Sequence, residues 1–447
     1  MSVSGDSTIG DALLAGIDGS EIYALASQIF PICRSITGEG VRKTLANLGR
    51  ILTLRLTEIP SGTPVFDWTI PREWTIRQAY IEDDAGRRVV DFRNNPLHVL
   101  NYSLPIRARL PLAELKKHIH TIAAQPTLIP YRTSYYAEQW GFCMAHALFE
   151  ALHETHYNVV IDAALADGHL TYGEFFHRGA SDNEVLLSAH ICHPGQANDN
   201  CSGLALLSHL GARLSRQRTR YSYRIVFAPG TIGALAWLAS NETGAARRIK
   251  HGLVLSCVGD SGGPTYKKTR RGNCFIDRVM VHVLMHASKT TTVLDFSPFG
   301  YDERQYCSPG FDLAVGLFQR SRFGSFPEYH TSADNLDLIG PEHLATSYRI
   351  LCTAIDIIEN DGRFLNLMPK GEPQLGRRGL YASLGGDPKA ADTNLAMLWV
   401  LNMSDAKHSL LDIAERAGTP FSTIAEAARL LERHGLLQAL PEAEPAN

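Results

Sequence analysis

The densest run of residues able to do chemistry is SAHICHPGQANDNCSG, which sets His190, Cys192, His193 and Asp199 within ten residues, among Gly, Pro and Asn. Far downstream, EYHTSADNLD adds Glu328, Tyr329 and His330, and between the two GLVLSCVGD ends on Asp260. Imidazole nitrogens and carboxylate oxygens are what a divalent zinc ion takes, and a catalytic zinc keeps one position open for water. Such an ion lowers the pKa of that water to about 7 and polarises a carbonyl. His190, Asp199, Asp260 and His330 are the candidate ligands. Tyr329, adjacent to one of them, is a candidate donor to a developing oxyanion. A lone histidine at a strand end is more often a satisfied polar residue, so the metal reading rests on the two segments taken together. Cys192 is a further candidate, although a cysteine beside a strand end is more often simply packed.

These residues need strands to hold them. In open α/β sheets, reactive groups gather at the carboxyl ends of the strands. EVLLSAH is a buried-strand run ending at His190, GLALLSHLGARLSRQ an amphipathic helix, RIVFAP the next strand, GALAWLASN a helix, GLVLSCVG a strand, and AVGLF another before a long helix at about 341 to 360. Alternation of this kind predicts a largely parallel sheet covered by helices. Helical patterning also covers 19 to 52, broken at Thr37-Gly38. From Ser61 to about Tyr136, short strand-like runs broken by Pro, Gly and Asn predict a small β-rich module. A helix near 137 to 154 and a second β-rich stretch, YNVVIDAALADGHLTYGEFF, follow. The tail from about 391 reads as three short amphipathic helices in a helix-turn-helix rhythm.

A chain of 447 residues suggests two or three domains. A formal charge of -3 provides no field to gather nucleic acid or anionic membrane. Eight scattered cysteines without a CxxC pair read as reduced thiols. With no leader-like N-terminus and no apolar run of about 18 residues, a cytoplasmic protein is expected.

SAHICHPGQANDNCSG, GLVLSCVGD and EYHTS resemble the metal-binding segments of the co-catalytic zinc aminopeptidases. Over almost the whole chain, FPICRSITGEGVRKTL, FDWTIPREW, IPYRTSYYAEQWGFC, YDERQYCSPG, YHTSADNLD and RRGLYASLGG resemble a bacterial aminopeptidase-like-domain family, often associated with polysaccharide or natural-product gene clusters. That resemblance implies a discontinuous α/β domain at 1–60 and 155–378, an inserted β-rich domain at 61–154, and a winged-helix-like domain at 379–447. It matches His190, Asp199, Asp260 and His330 to metal positions. Asp302, Glu303 and Arg304 match a family motif and, with Arg34, stand as candidate substrate contacts. The zinc aminopeptidases carry two consecutive glutamates after the next strand, a general base and a ligand of a second metal, and the closer family keeps the first in Pro-Glu-Thr-Ile-Gly. This chain reads Pro229-Gly230-Thr231-Ile232-Gly233. Thr231 at the second position implies one zinc ion, and Gly230 removes the base.

General-base catalysis contributes roughly 10²- to 10⁴-fold in rate, so the site keeps its Lewis acid but needs another base. Glu328, Asp302 and Glu303 are the candidates. The alternatives are a reaction needing no such base, a site that only binds an amino-acyl or peptide-like ligand, and an inactivated variant. If Gly230 marks the missing base, Gly230→Glu raises peptidase activity. The leading expectation is a mono-zinc hydrolase of an amino-acyl or peptide-like amide. A non-hydrolytic biosynthetic relative comes second and a DNA-binding regulator third. Against the last, PFSTIAEAARLLERHG balances Arg429 and Arg433 with Glu426 and Glu432 and offers no basic face, which favours packing or homo-oligomerisation. KKTRR at 267 to 271 reads as a solvated basic loop, and TSYYAEQWGFC as a lid or a packed hinge.

Overall fold

The protein is described here by a computed structural model covering residues 8–380 and 388–441. The end of RRGLYASLGG and the PEAEPAN tail beyond Pro441 lie outside the described residues. Eight strands make the main sheet: β1 (Arg55–Pro60), β2 (His169–His177), β3 (Glu184–His190), β4 (Ser222–Ala228), β5 (Ile249–Leu255), β6 (Thr265–Lys267), β7 (Thr292–Leu294) and β8 (Val315–Gln319). Their order is β1-β2-β4-β3-β5-β8-β6-β7. The central strands β4, β3, β5 and β8 run parallel, and antiparallel pairing appears toward both edges. Every residue of β3 and β4 is buried. Strands covered on both faces need apolar residues at successive positions, which is why EVLLSAH does not alternate.

Among the helices are α1 (Ser20–Ile29), α2 (Glu39–Leu48), α3 (Gly203–Leu214), α4 (Ile232–Asn241), the short α5 (Glu303–Tyr306) and α6 (Pro341–Asn360). The strand-helix alternation expected from the sequence is thus present. At the amino ends of the parallel strands, the buried Glu184 is held by Arg224 at 2.6 Å and Arg248 at 2.7 Å. A carboxylate buried there without those partners would carry a desolvation cost of several kcal/mol.

A second sheet contains Glu73–Asp83, Arg88–Asp91, Ile106–Pro111 and His156–Ala166, all paired antiparallel. Its core is Trp74, Ile81, Val159 and Ile161. YNVVIDAALADGHLTYGEFF therefore divides between two sheets, its first strand joining this one and its second becoming β2. The helix expected near 137 to 154 shrinks to His146–Glu150. Its earlier part is committed to extended pairing, with Phe142–Cys143 against Ile119–His120 and Trp140 stacked on His118 at 3.8 Å. The KKTRR expectation is also corrected, since Lys267 ends strand β6 and is buried.

Packing divides the chain into two compact units, one of residues 13–277 with 290–349, and one that joins 8–12 and 278–289 to the described residues from 350 onward. The second holds α7 (Pro388–Met403), α8 (Leu410–Ala417) and α9 (Phe421–Arg433) with a three-stranded sheet of Arg363–Asn366, Asp405–Ser409 and Leu437–Ala439. Ser409 and Asp412 form a reciprocal capping box that fixes the start of α8.

Candidate metal centre

β3 delivers His190 to its carboxyl end, buried to 2% exposure. The chain then turns through Gly195, at φ +56°, and runs into Asp199 just before α3. Asp334 fixes that turn. Its carboxylate accepts from the backbone N–H groups of Asn198 at 2.6 Å and Asp199 at 3.0 Å, and its backbone carbonyl from Ala197 at 3.0 Å. Burial, then the charge of Asp199, push the Asp334 carboxyl up, while the three backbone donors oppose that shift. Asp334 was not singled out from the sequence, although it lies within the YHTSADN segment.

Asp199 is the hub. Oδ1 lies 3.0 Å from His190 Nε2 and accepts from Ser256 Oγ at 2.9 Å. Oδ2 lies 3.1 Å from His330 Nε2. Burial alone would raise this carboxyl, but His193 and His190 beside it hold it well below the usual carboxylate range. His190 Nε2 is buried and, despite its 3.0 Å approach, makes no contact with hydrogen-bond geometry. A buried nitrogen that faces a carboxylate oxygen without bonding it is what a cation between the two would resolve. The Asn200 amide nitrogen donates to the Leu255 carbonyl at 2.8 Å and lies 3.4 Å from His190 Nδ1, too long to fix the tautomer. His193, two residues past Ile191, offers a ligand atom within 4.8 Å of those of His190 and Asp199.

His330 adopts φ +55°, a left-handed conformation that costs an L-residue about 1–2 kcal/mol. The loop before the second sheet's last strand holds it there. Tyr131 N–H donates to the His330 carbonyl at 2.8 Å, Ser332 N–H to the Ile129 carbonyl at 2.8 Å, and Ile129 N–H to Ser332 Oγ at 3.0 Å. Each histidine has a tyrosine against its face: Tyr301 on His190 at 4.9 Å and Tyr329 on His330 at 3.9 Å. The two hydroxyls meet at 3.5 Å.

The remaining candidates divide sharply. Asp302 reaches the site: a Cβ on Gly230 would stand 3.1 Å from His190 Cβ and 3.3 and 3.6 Å from the two Asp302 oxygens. Asp302 is 1% exposed, neither oxygen has a hydrogen-bond partner, and it does not cap its own helix, α5. Burial pushes its carboxyl up to about 7, against the opposing charge of His190. Asp260 is not brought to the cluster. Its oxygens are taken by Asn198 Nδ2 at 2.7 Å, Ser321 Oγ at 2.7 Å and the Gly262 N–H at 2.6 Å, so it orients the turn and has little left for a metal. Arg34 is no substrate contact. It is 1% exposed and donates to the Ile29 carbonyl at 2.6 Å, the His193 carbonyl at 3.0 Å and Cys201 Sγ at 3.0 Å. Glu303 is fully buried against Lys267 Nζ at 2.5 Å. Arg304 keeps a buried Nε without a partner and opposes the rise of the Asp302 carboxyl. Glu328 is half-buried, and its backbone carbonyl receives Thr331 N–H at 3.1 Å, while no hydrogen bond ties its carboxylate to the cluster.

The donors present (two imidazoles and a carboxylate with a third imidazole alongside) fit a borderline-soft divalent ion such as zinc. Comparisons with known proteins agree on the fold. The family model of a domain of unknown function, DUF4910, matches residues 23–361, and a winged helix-turn-helix model matches 363–439. A Clostridium acetobutylicum protein, named as a candidate polysaccharide biosynthesis protein with an aminopeptidase-like domain, is 49% identical over 420 residues, spanning 94% of this chain and 96% of that one. A crystal structure of a candidate peptidase from the same organism superposes with a TM-score of 0.91 at 47% identity, covering 97% of this chain and 98% of its own. A zinc aminopeptidase from Bacillus subtilis shares the fold alone, with a TM-score of 0.55 at 13% identity over 76% of this chain and 93% of its own. The expected aminopeptidase-like α/β fold with a C-terminal winged helix is borne out.

Proposed function

The chain belongs to the DUF4910 family, and on that premise we propose that its aminopeptidase-like domain is a single-zinc hydrolase acting on an amide beside a free amine, in an amino-acyl or peptide-like substrate. The reading is carried by the buried His190 Nε2, 3.0 Å from an Asp199 oxygen yet unbonded to it, while His330 Nε2 approaches the other oxygen. His190, Asp199 and His330 would hold the ion. When bound, zinc supplies a Lewis acid for the amide carbonyl and eases deprotonation of water.

The chain's own groups do the rest. Asp302, with both oxygens free beside the vacant side of Gly230, is the carboxylate that receives the proton of the attacking water and returns it to the leaving amine. Tyr329, packed on His330, donates its hydroxyl to the carbonyl oxygen as charge builds there. Tyr301 buttresses His190 and meets the Tyr329 hydroxyl. The name of the Clostridium acetobutylicum relative supports a setting in polysaccharide biosynthesis for this reaction.

A second reading, a weakened or non-hydrolytic member that binds an amino-acyl ligand, is favoured by the burial of Asp302, at 1% exposure, together with the absence of a side chain at Gly230. A panel of amino-acyl chromogenic amides separates the two. Under the hydrolase reading, zinc-restored protein turns over at least one substrate, chelated protein none, and Asp302→Asn loses turnover while retaining metal. A fully loaded protein inert across the panel favours the binding role instead.

A further inference from the structure

Resting on the single-metal reading above, we propose that His193 is a third imidazole ligand of the same centre and that Cys192 holds its ring in the ligating tautomer. The ligand atoms of His190, His193 and Asp199 lie within 4.8 Å of one another. The His193 ring centroid is 4.5 Å from that of His190 and 5.3 Å from that of His330, so His193 lies beside both of the imidazoles that approach Asp199.

Cys192 sets the proton. Its Sγ lies 3.6 Å from the Gly230 carbonyl and 3.3 Å from His193 Nδ1. A carbonyl oxygen can only accept, so the thiol hydrogen points to Gly230 and the sulfur presents its lone pairs to His193. His193 Nδ1 must then carry hydrogen and donate to sulfur, which leaves Nε2 with a lone pair for a metal. This is the outer-shell arrangement by which metal-bound histidines are oriented, with sulfur in place of the usual carboxylate or carbonyl.

The backbone is fixed as well. Arg34 Nε donates to the His193 carbonyl at 3.0 Å, and Arg34 is itself anchored by Ile29 and Cys201. Tyr131 packs against both His193 and His330, at 5.0 Å from each. With Asp260 spent elsewhere, one carboxylate and three neutral imidazoles leave a divalent ion a net charge of +1, more electrophilic than a centre with two carboxylates, and water would have to join as a fifth ligand. Imidazole-rich sites also accept copper, iron and nickel.

Full-length apo-protein titrated with Zn²⁺ against a chromophoric chelator, and with Co²⁺ followed by its visible absorption, tests this. One ion per chain is expected in every variant. His193→Ala should weaken zinc at least about 100-fold and Cys192→Ala about 10-fold, with Cys192→Ser recovering most of that loss. His193→Gly should regain affinity and the cobalt spectrum when imidazole is added, which a misfolded variant would not. Wild-type affinity in His193→Ala overturns the ligand assignment, and wild-type affinity in Cys192→Ala overturns the orienting role. A thiolate-to-cobalt charge-transfer band abolished by Cys192→Ser would make Cys192 a ligand itself and overturn the tautomer argument. A wild-type chain that takes up no ion contradicts the underlying single-metal reading, whereas a chain that binds its one ion with the same affinity whatever stands at position 193 contradicts only this inference.

Discussion

A carboxylate as buried as Asp302, without a hydrogen-bond partner on either oxygen, is costly to keep, and its place beside Gly230 gives that cost a use. Asp302→Asn should lower turnover by roughly 10²- to 10⁴-fold, the range of general-base catalysis, with zinc content unchanged. Gly230→Glu should restore part of that loss in the Asp302→Asn background. In the native chain it should gain far less, because the new Cβ must move His190 or Asp302 by a few tenths of an ångström and the two carboxylates must then share one proton. Measuring both variants singly and together decides whether the two positions are interchangeable. The types and spacing of His190, Asp199 and His330 were enough to single them out as candidates, and the fold brings the three side chains together. Asp260 was misleading, because a sequence does not say that Asn198, Ser321 and Gly262 consume its oxygens. Arg34 misled likewise, since two of its partners, the His193 carbonyl and the Cys201 thiol, are far away in sequence.

Among the elements, the short turn α5 depends on a buried ion pair. Lys267 of β6 meets Glu303 at 2.5 Å and also donates to the carbonyls of Ser297 and Phe299, which ties the loop carrying Tyr301 and Asp302 to the sheet. Gly300 permits the approach, since a Cβ there would stand 2.1 Å from Glu303 Oε1. Lys267→Met should cost about 3–5 kcal/mol in denaturant unfolding by stranding a buried charge, and Lys267→Met combined with Glu303→Leu should cost less. In the winged-helix unit, His282 Nε2 accepts the Phe421 N–H at 3.1 Å. Burial, with His286 and Arg278 nearby, lowers His282 from its ordinary 6.5 to about 4. The unfolded chain therefore binds the extra proton first, and this contribution to stability is present above pH 6.5 and lost as pH falls toward 4. Thermal melts of His282→Gln, which keeps an acceptor, should show a shallower decline across that window than the native chain. The parallel strands were legible because burial on both faces leaves long apolar runs. β6 and β7 were not, being three residues each, with Lys267 reading as solvent-facing in KKTRR.

For the molecule as a whole, the sequence displayed the alternating α/β pattern and the helical tail, but the division of one β-rich stretch between two sheets depends on long-range pairing that no local pattern records. The described surface of α9 mixes exposed Glu426, Glu432 and Arg433, so no salt-dependent retention on duplex DNA is expected, and a shift that weakens with added salt would contradict the packing role proposed for that domain. Metal removal should be felt globally, because an ion bound only by the folded chain stabilises it by about 2.7 kcal/mol at a hundredfold excess over Kd. Chelation should therefore lower the melting temperature, and zinc should restore it. Most directly, diffraction recorded on either side of the zinc absorption edge from zinc-equilibrated crystals should give a single anomalous peak within bonding distance of His190, Asp199 and His330. An absent peak, or one elsewhere with the His190 and His330 rings turned apart, would contradict the centre on which the function rests.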